Sequence, residues 1–175
     1  MVKRGFSIAE LLIVITIMGI LLVLGVVNMT STQANSRDAE RKSDAETIAI
    51  SLETYYNSSQ KLIDGTIITG RYPSTADMAN KDNQKANLRD IDIKALYAPG
   101  QSTDNLITSL TTATTIDTPT TISIDNYVYQ PFYLDNSGIW KLCDNNATQK
   151  CRKFNLYYTN EVGVAAVQTI TSKNQ

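Results

Sequence analysis

The apolar residues of this chain are gathered at its front. Ile8 to Val27 reads IAELLIVITIMGILLVLGVV, interrupted only by Glu10 and Thr16. Twenty helical residues rise about 30 Å, the thickness of a bilayer's hydrocarbon core, so the run is long enough to span one. A cleaved secretory signal has a shorter apolar core ahead of a small-residue cut site. Here the run leads directly into Asn28–Gln33, which predicts an anchor that stays attached. Lys3 and Arg4 precede the span and predict a cytoplasmic N-terminus, with everything after about Asn28 sent across the membrane.

Behind this run the pattern turns from apolar all round to apolar on one side. Asn35 to Ser59 has no Gly or Pro, and Ala45, Ile48, Ala49, Leu52 and Tyr56 recur at spacings of three and four. Arg37, Asp38, Glu40, Arg41, Lys42, Asp44 and Glu46 put mixed charges beside the stripe. No breaker separates the two patterns, so one helix is predicted from Phe6 to about Tyr56, about 75 Å long, stopping at Asn57–Ser59. A soluble domain of this size has no need of such a helix. A protein with one half in a membrane or a filament core does.

Residues 59–125 read as a variable loop region. Arg71–Ser74 predicts an extended surface connection leading into a turn, because the residue before a proline avoids the helical region. Ala86 to Tyr97 puts Leu88, Ile91 and Leu96 on one side and predicts a short helix ending at Ala98–Pro99–Gly100. Thr103 to Asp125 is threonine-rich and predicts a long loop or weak edge strands. Residues 126–175 are the β region. Asn126–Leu134, a turn at Asp135–Gly138 and Ile139–Leu142 form a hairpin, and Lys153–Thr159 and Val162–Ile170 supply further strands. Pro131 predicts that its strand lies at an edge or carries a bulge. Three or four antiparallel strands can then cover the amphipathic half of the helix, an α+β arrangement.

Composition narrows the chemistry. Across 175 residues the formal charge is −1, without the positive field that tracks a phosphate backbone, so DNA is a possible partner but not an indicated one. The absence of histidine excludes Ser-His-Asp and Cys-His catalysis and the usual histidine zinc sites. Neither the phosphate-cradling nor the dinucleotide glycine motif occurs. The sequence therefore calls for no catalytic residue, no cofactor and no metal. Asp135–Asn136–Ser137 and Asp144–Asn145–Asn146 are oxygen-rich enough for calcium, but turn chemistry accounts for both. Asn57–Ser58–Ser59 and Asn146–Ala147–Thr148 fit the glycosylation acceptor pattern. Cys143 and Cys151, in a part predicted to be exported, predict a disulfide worth about 2 to 3 kcal/mol in the chain-entropy model.

One residue in the anchor needs a reason. Glu10 is a carboxylate inside an apolar run, where an acid facing lipid costs a few kcal/mol unless it is paired or sits near the headgroups. The stretch Lys3-Arg4-Gly5-Phe6-Ser7-Ile8-Ala9-Glu10 resembles the type IV pilin and pseudopilin family, in which a short basic leader ends in Gly, followed by Phe and then a Glu near the start of a hydrophobic helix. The resemblance is strong from Met1 to about Tyr56 and looser at Tyr72-Pro73 and in the C-terminal strands. It implies the type IV pilin fold, with a leader at 1–5, a transmembrane and filament-core helix at 6–27 and the amphipathic half of the same helix at 28–58. It further implies cleavage between Gly5 and Phe6 by a prepilin peptidase, N-methylation of Phe6, and pairing of Glu10 with the terminal amine of a neighbouring subunit. The physics agrees, since a carboxylate and an amine moved together into an apolar core offset each other, while either alone stays costly.

The partners implied are copies of the chain itself in a helical filament, an inner-membrane platform protein and an assembly ATPase. The subunit would be a single-pass membrane protein before assembly and part of an extracellular pilus after it, serving adhesion, motility or DNA uptake. Many members of the family carry a proline late in the membrane segment. None lies between Met1 and Arg71 here, so Gly19 and Gly25 are the helix's intrinsic weak points. Two alternatives stay open: a pseudopilin of a type II secretion or competence system, and a permanently anchored extracellular binding domain in which Lys3 and Arg4 only set topology.

Overall fold

A computed structural model describes residues 6–61, 67–89, 91–101, 108–109, 119, 122–145, 148–163 and 167–174. One helix, α1 (Ile8–Asn57), runs unbroken for 50 residues, as the patterns predict, and passes through Gly19 and Gly25 without interruption. It ends where Ser58 turns extended and donates its N–H to the carbonyls of Thr54 and Tyr55. The buried stripe of its second half is Arg41, Ala45, Ile48, Ala49, Leu52 and Tyr55, with Tyr56 only partly covered.

Two-residue strands β1 (Gln60–Lys61) and β2 (Ile67–Ile68) pair antiparallel just beyond α1. Of Arg71–Ser74, expected as a surface connection, Tyr72, Pro73 and Ser74 are buried instead, together with Thr75. The Tyr72 N–H donates to the Cys151 carbonyl at 2.9 Å, the Thr75 N–H to that of Cys143 at 3.0 Å, and the Tyr129 hydroxyl to that of Pro73 at 2.7 Å. The segment thus plugs the gap between α1 and the disulfide. The helix expected over Ala86–Tyr97 is split and displaced. A helix α2 (Lys81–Asn87) starts earlier, where Asn80 caps the Asn83 N–H, and a separate 3-10 helix (Ile93–Leu96) is capped by Asp92. Leu88 and Leu96 are buried, as the periodicity suggested, but Leu88 caps the end of α2 and Leu96 belongs to the 3-10 helix.

Strands β4 (Val128–Leu134), β5 (Trp140–Leu142), β6 (Cys151–Thr159) and β7 (Val167–Thr171) form the antiparallel sheet. A two-residue strand β3 (Thr108–Ser109) adds a parallel pairing to β4; most of the Thr103–Asp125 stretch lies outside the described residues. The order is β3-β4-β6-β7, with β5 also beside β4. The expected edge position of Pro131 is not found, because β4 is paired on both sides. The expected bulge is, with the register against β6 shifting between Phe132 and Tyr133. Pro131 is tolerated because its carbonyl accepts from the Cys143 N–H at 2.8 Å on the β5 side. A strand residue's nitrogen points the same way as its oxygen, so the missing donor faces the gap between β3 and β5 and leaves the β6 ladder intact. The last strand begins at Val167 and not at Val162, since residues 161–163 form a bend in which Gly163 takes φ 94°.

Tyr129, Phe154, Leu156 and Tyr158 project from the sheet onto Ala45, Ile48, Ala49 and Leu52 of α1, with Tyr72 packed edge-on against Phe154 at 4.9 Å between ring centres. This core lies entirely against the second half of α1.

Candidate functional site

The start of α1 is capped from both directions. Ser7 is extended (φ −73°, ψ 144°) and its Oγ accepts the Ala9 N–H at 3.3 Å, while its own N–H donates to Glu10 Oε2 at 2.9 Å. This capping box provides for N–H groups that a helix start leaves without partners, and places a carboxylate at the positive end of the helix dipole. The Ser7-x-x-Glu10 spacing is its sequence signature, one that treating Glu10 as a lone acid passes over. Phe6, just outside, is 87% exposed. Gly5 and the rest of 1–5 lie outside the described residues, so the structure places only the Phe6 side of the expected cleavage site.

Every side chain from Ile8 to Val26 is exposed, with large apolar groups keeping between 49% (Val14) and 87% (Ile8) of their surface. Thr16 satisfies its hydroxyl on the Ile13 carbonyl at 2.8 Å, so Glu10 is the sole charge in this half. An apolar surface of this extent marks a binding or membrane-facing region in a chain that would otherwise aggregate. By length and composition α1 can cross a membrane.

The other half of α1 fixes the sheet through ions. Asp38 accepts the backbone N–H groups of Glu161 and Val162 at 2.7 and 2.9 Å and the Arg41 guanidinium at 2.7 Å. Arg41, only 2% exposed, also donates to the Ile124 carbonyl at 3.1 Å and lies 3.5 Å from the Glu161 carboxylate, which Arg37 grips from outside. Farther along, Glu53 accepts the Lys173 N–H at 2.7 Å, the Asn174 amide at 2.8 Å and the Tyr72 hydroxyl at 2.9 Å, clasping the chain's C-terminal segment to the helix. Nothing in the local sequence singles out Glu53 for this work.

Cys143 and Cys151 form the expected disulfide, with their Cα atoms 5.6 Å apart and both residues buried. It ties the end of β5 to the start of β6. Asp135, one of the oxygen-rich positions, spends its carboxylate on the N–H groups of Ser137 and Ile139, at 2.9 Å each, and on Lys141 at 2.9 Å. This closes the hairpin turn around Gly138 (φ 75°). Asn57, exposed at the end of α1, donates its side-chain amide to the Glu53 carbonyl, and Asn146 lies outside the described residues.

No protein-family model and no solved structure matches the chain. Among curated proteins it is similar to the type IV major pilin protein PilA of Myxococcus xanthus (strain DK1622), with 27% identity over 127 residues. The match covers 69% of this chain, which spans only 57% of that relative's length. The sequence similarity to that pilin stands beside a long helix with an exposed apolar half, laid on an antiparallel sheet.

Proposed function

We propose that the chain is a structural subunit of a type IV pilus-like filament. The observation that carries this reading is the division of α1, one half with a stripe buried under the sheet and the other exposed and apolar from Ile8 to Val26. A lipid bilayer can hold that half in the single subunit, and the same halves of other copies can cover it in a filament, where close packing of many helices replaces lipid contact. In this reading a prepilin peptidase cuts between Gly5 and Phe6, Phe6 becomes the methylated N-terminus, and Glu10 pairs with a neighbour's terminal amine. A platform protein and an assembly ATPase drive extraction from the membrane.

The test is the N-terminus of the exported protein together with its physical state. Mass spectrometry should find Phe6 first and carrying one methyl group, in material that shears from cells as fibres visible by negative stain. An intact Met1 on membrane-bound protein, with no fibres, would support a permanently anchored extracellular domain instead. Cleaved protein confined to the envelope would support a pseudopilin.

A further inference from the structure

The two ends of the outer part of the molecule carry opposite charge. β6 runs back along α1: Cys151 bonds to Tyr72, whose hydroxyl reaches Glu53, while the turn after Thr159 bonds to Asp38. β4 runs the other way, from Tyr127, whose hydroxyl donates to Asp44 at 3.1 Å, up past the level of Cys151. The β4–β5 turn and the disulfide loop therefore form the end farthest from the apolar half of α1.

Residues 135–153 at that far end hold Lys141, Lys150, Arg152 and Lys153 against Asp135 and Asp144, a net +2 in a chain whose total is −1, which leaves −3 for the rest. Lys141 and Asp135 neutralise each other. Lys150 and Arg152 are exposed and have no ion-pair partner among the described residues, and Lys153 lies over the half-exposed Trp140 ring, 5.9 Å from its centre. Arg152 is the extra residue of the β6 bulge, without a partner on β4, which sets it apart from the ladder. Exposed Leu134 and Ile139 adjoin Trp140.

At the opposite end, nearest the membrane half, Glu40 and Asp44 are one helical turn apart on α1 and Asp92 stands at the head of the 3-10 helix packed on it. None of the three has an ion-pair partner among the described residues. Lys42, two positions from both Glu40 and Asp44, projects from another side of the helix, Lys94 lies beyond Asp92, and Arg37 and Arg41, three positions before Glu40 and Asp44, are engaged by Glu161 and Asp38. Burial pushes the Asp44 carboxyl up against the opposing Tyr127 hydrogen bond, with the Glu40 and Asp92 charges adding to the rise. Asp44 thus stands between two like charges, Glu40 on its own helix and Asp92 across from it.

We infer that the basic end around Lys150, Arg152 and Trp140 docks on the acidic face of Glu40, Asp44 and Asp92 of a second copy of this chain. Two different surfaces at opposite ends of one molecule make a head-to-tail contact, which repeats without closing and so yields a filament. Thirteen residues of α1, about 20 Å, separate the level of Glu53 from that of Glu40, so the copies are displaced along the helix axis by at least this much. The inference rests on the filament reading and adds a contact between outer parts to the contact between helices.

The test uses the full chain in cells and measures sheared fibres per cell. Lys150→Glu with Arg152→Glu should lower the yield about tenfold, as like charges then face each other. Glu40→Lys with Asp92→Asn, which keeps a capping side chain, should also lower it, and joining the two pairs should restore most of the yield. Resistance of the buried disulfide to mild reduction, read by labelling any cysteine set free, checks that each variant has kept its fold. Normal yield from either pair, or a combined variant no better than the worse one, overturns the contact while leaving the filament reading intact. So does normal assembly with weakened capture of a polyanion such as DNA, which assigns the basic end to an outside ligand. Absence of fibres from the unmodified chain overturns both readings.

Discussion

Asp38 and Glu161 lie 123 residues apart in sequence, and the Asp38 carboxylate holds the Glu161 backbone N–H at 2.7 Å. A single side chain on α1 thereby sets where the β6–β7 turn rests on the helix. Asp38→Ala leaves two N–H groups and much of the buried Arg41 charge without their acceptor, so a loss of about 2 to 4 kcal/mol is expected. Arg37→Ala removes the exposed member of the same network and should cost much less, because solvent screens its pair with Glu161. Urea unfolding of the two variants checks the ratio; equal effects would mean that the Asp38 bonds carry no special weight.

The same network sets a dependence on acid. For Asp38 burial is the largest single influence and pushes its pKa up, but the Glu161 and Val162 amides and Arg41 together outweigh it and hold the group below the ordinary range. The Arg37 hydrogen bond holds Glu161 low as well, against burial. A carboxylate whose folded pKa is lowered adds stability above its unfolded value, near pH 4, and that stability is lost as pH falls through the folded value. Asp44, raised mainly by burial, has the opposite sign: it costs stability at neutral pH and is relieved on protonation. Between about pH 7 and about pH 3, Asp38→Asn should start less stable and show a flatter acid loss, whereas Asp44→Asn should gain stability at neutral pH only. Urea midpoints across that range test both signs.

Much of this was legible beforehand, and the limits are physical. The long helix was readable because its two halves carry different but uninterrupted patterns, and the Asp135–Gly138 hairpin because turn residues sit between two apolar runs. The split of Ala86–Tyr97 was not, since Asn80 and Asp92 cap elements whose apolar residues happen to share a helical period. Burial of Tyr72–Thr75 depends on backbone bonds to Cys143 and Cys151, partners about 70 to 80 residues away that no local pattern reveals. Glu53 and Asp38 are ordinary acids on a charged helix until the chain returns to them.

Reduction of the disulfide should free β5 more than β6. β5 is three residues long and is held at one end by the Asp135 turn and at the other by Cys143, while β6 pairs along both sides. Cys143→Ser with Cys151→Ser should therefore cost about 2 to 3 kcal/mol, and hydrogen exchange should quicken first at residues 140–143. Uniform quickening across the sheet would contradict this order.

Gln130 is an opportunity for stabilisation. Its side chain is fully buried opposite Asn155, and neither of its amide atoms has a hydrogen-bond partner among the described residues. Leaving such groups unmet costs about 1 to 3 kcal/mol, so Gln130→Met, similar in length and apolar, should raise stability by about 1 kcal/mol. A lowered unfolding midpoint would show that the amide is satisfied in solution.

Glu10 joins two roles that substitution can separate. Its carboxylate accepts the Ser7 N–H in the capping box, and in the filament reading it also neutralises a neighbour's Phe6 amine. Glu10→Gln keeps an oxygen able to cap, because glutamine serves at this position of the box, but removes the charge. Ser7→Ala does the reverse, removing the cap hydroxyl at a cost of about 0.5 to 2 kcal/mol to the first helical turn while sparing the carboxylate. If pairing governs assembly, Glu10→Gln should insert normally, expose Phe6 on cleavage and yield few sheared fibres. A terminal amine would then enter an apolar core uncompensated, a defect of about 3 to 5 kcal/mol. Ser7→Ala should assemble nearly as well as the unmodified chain. The opposite ranking, with Glu10→Gln assembling and Ser7→Ala failing, would make Glu10 a helix cap and nothing more.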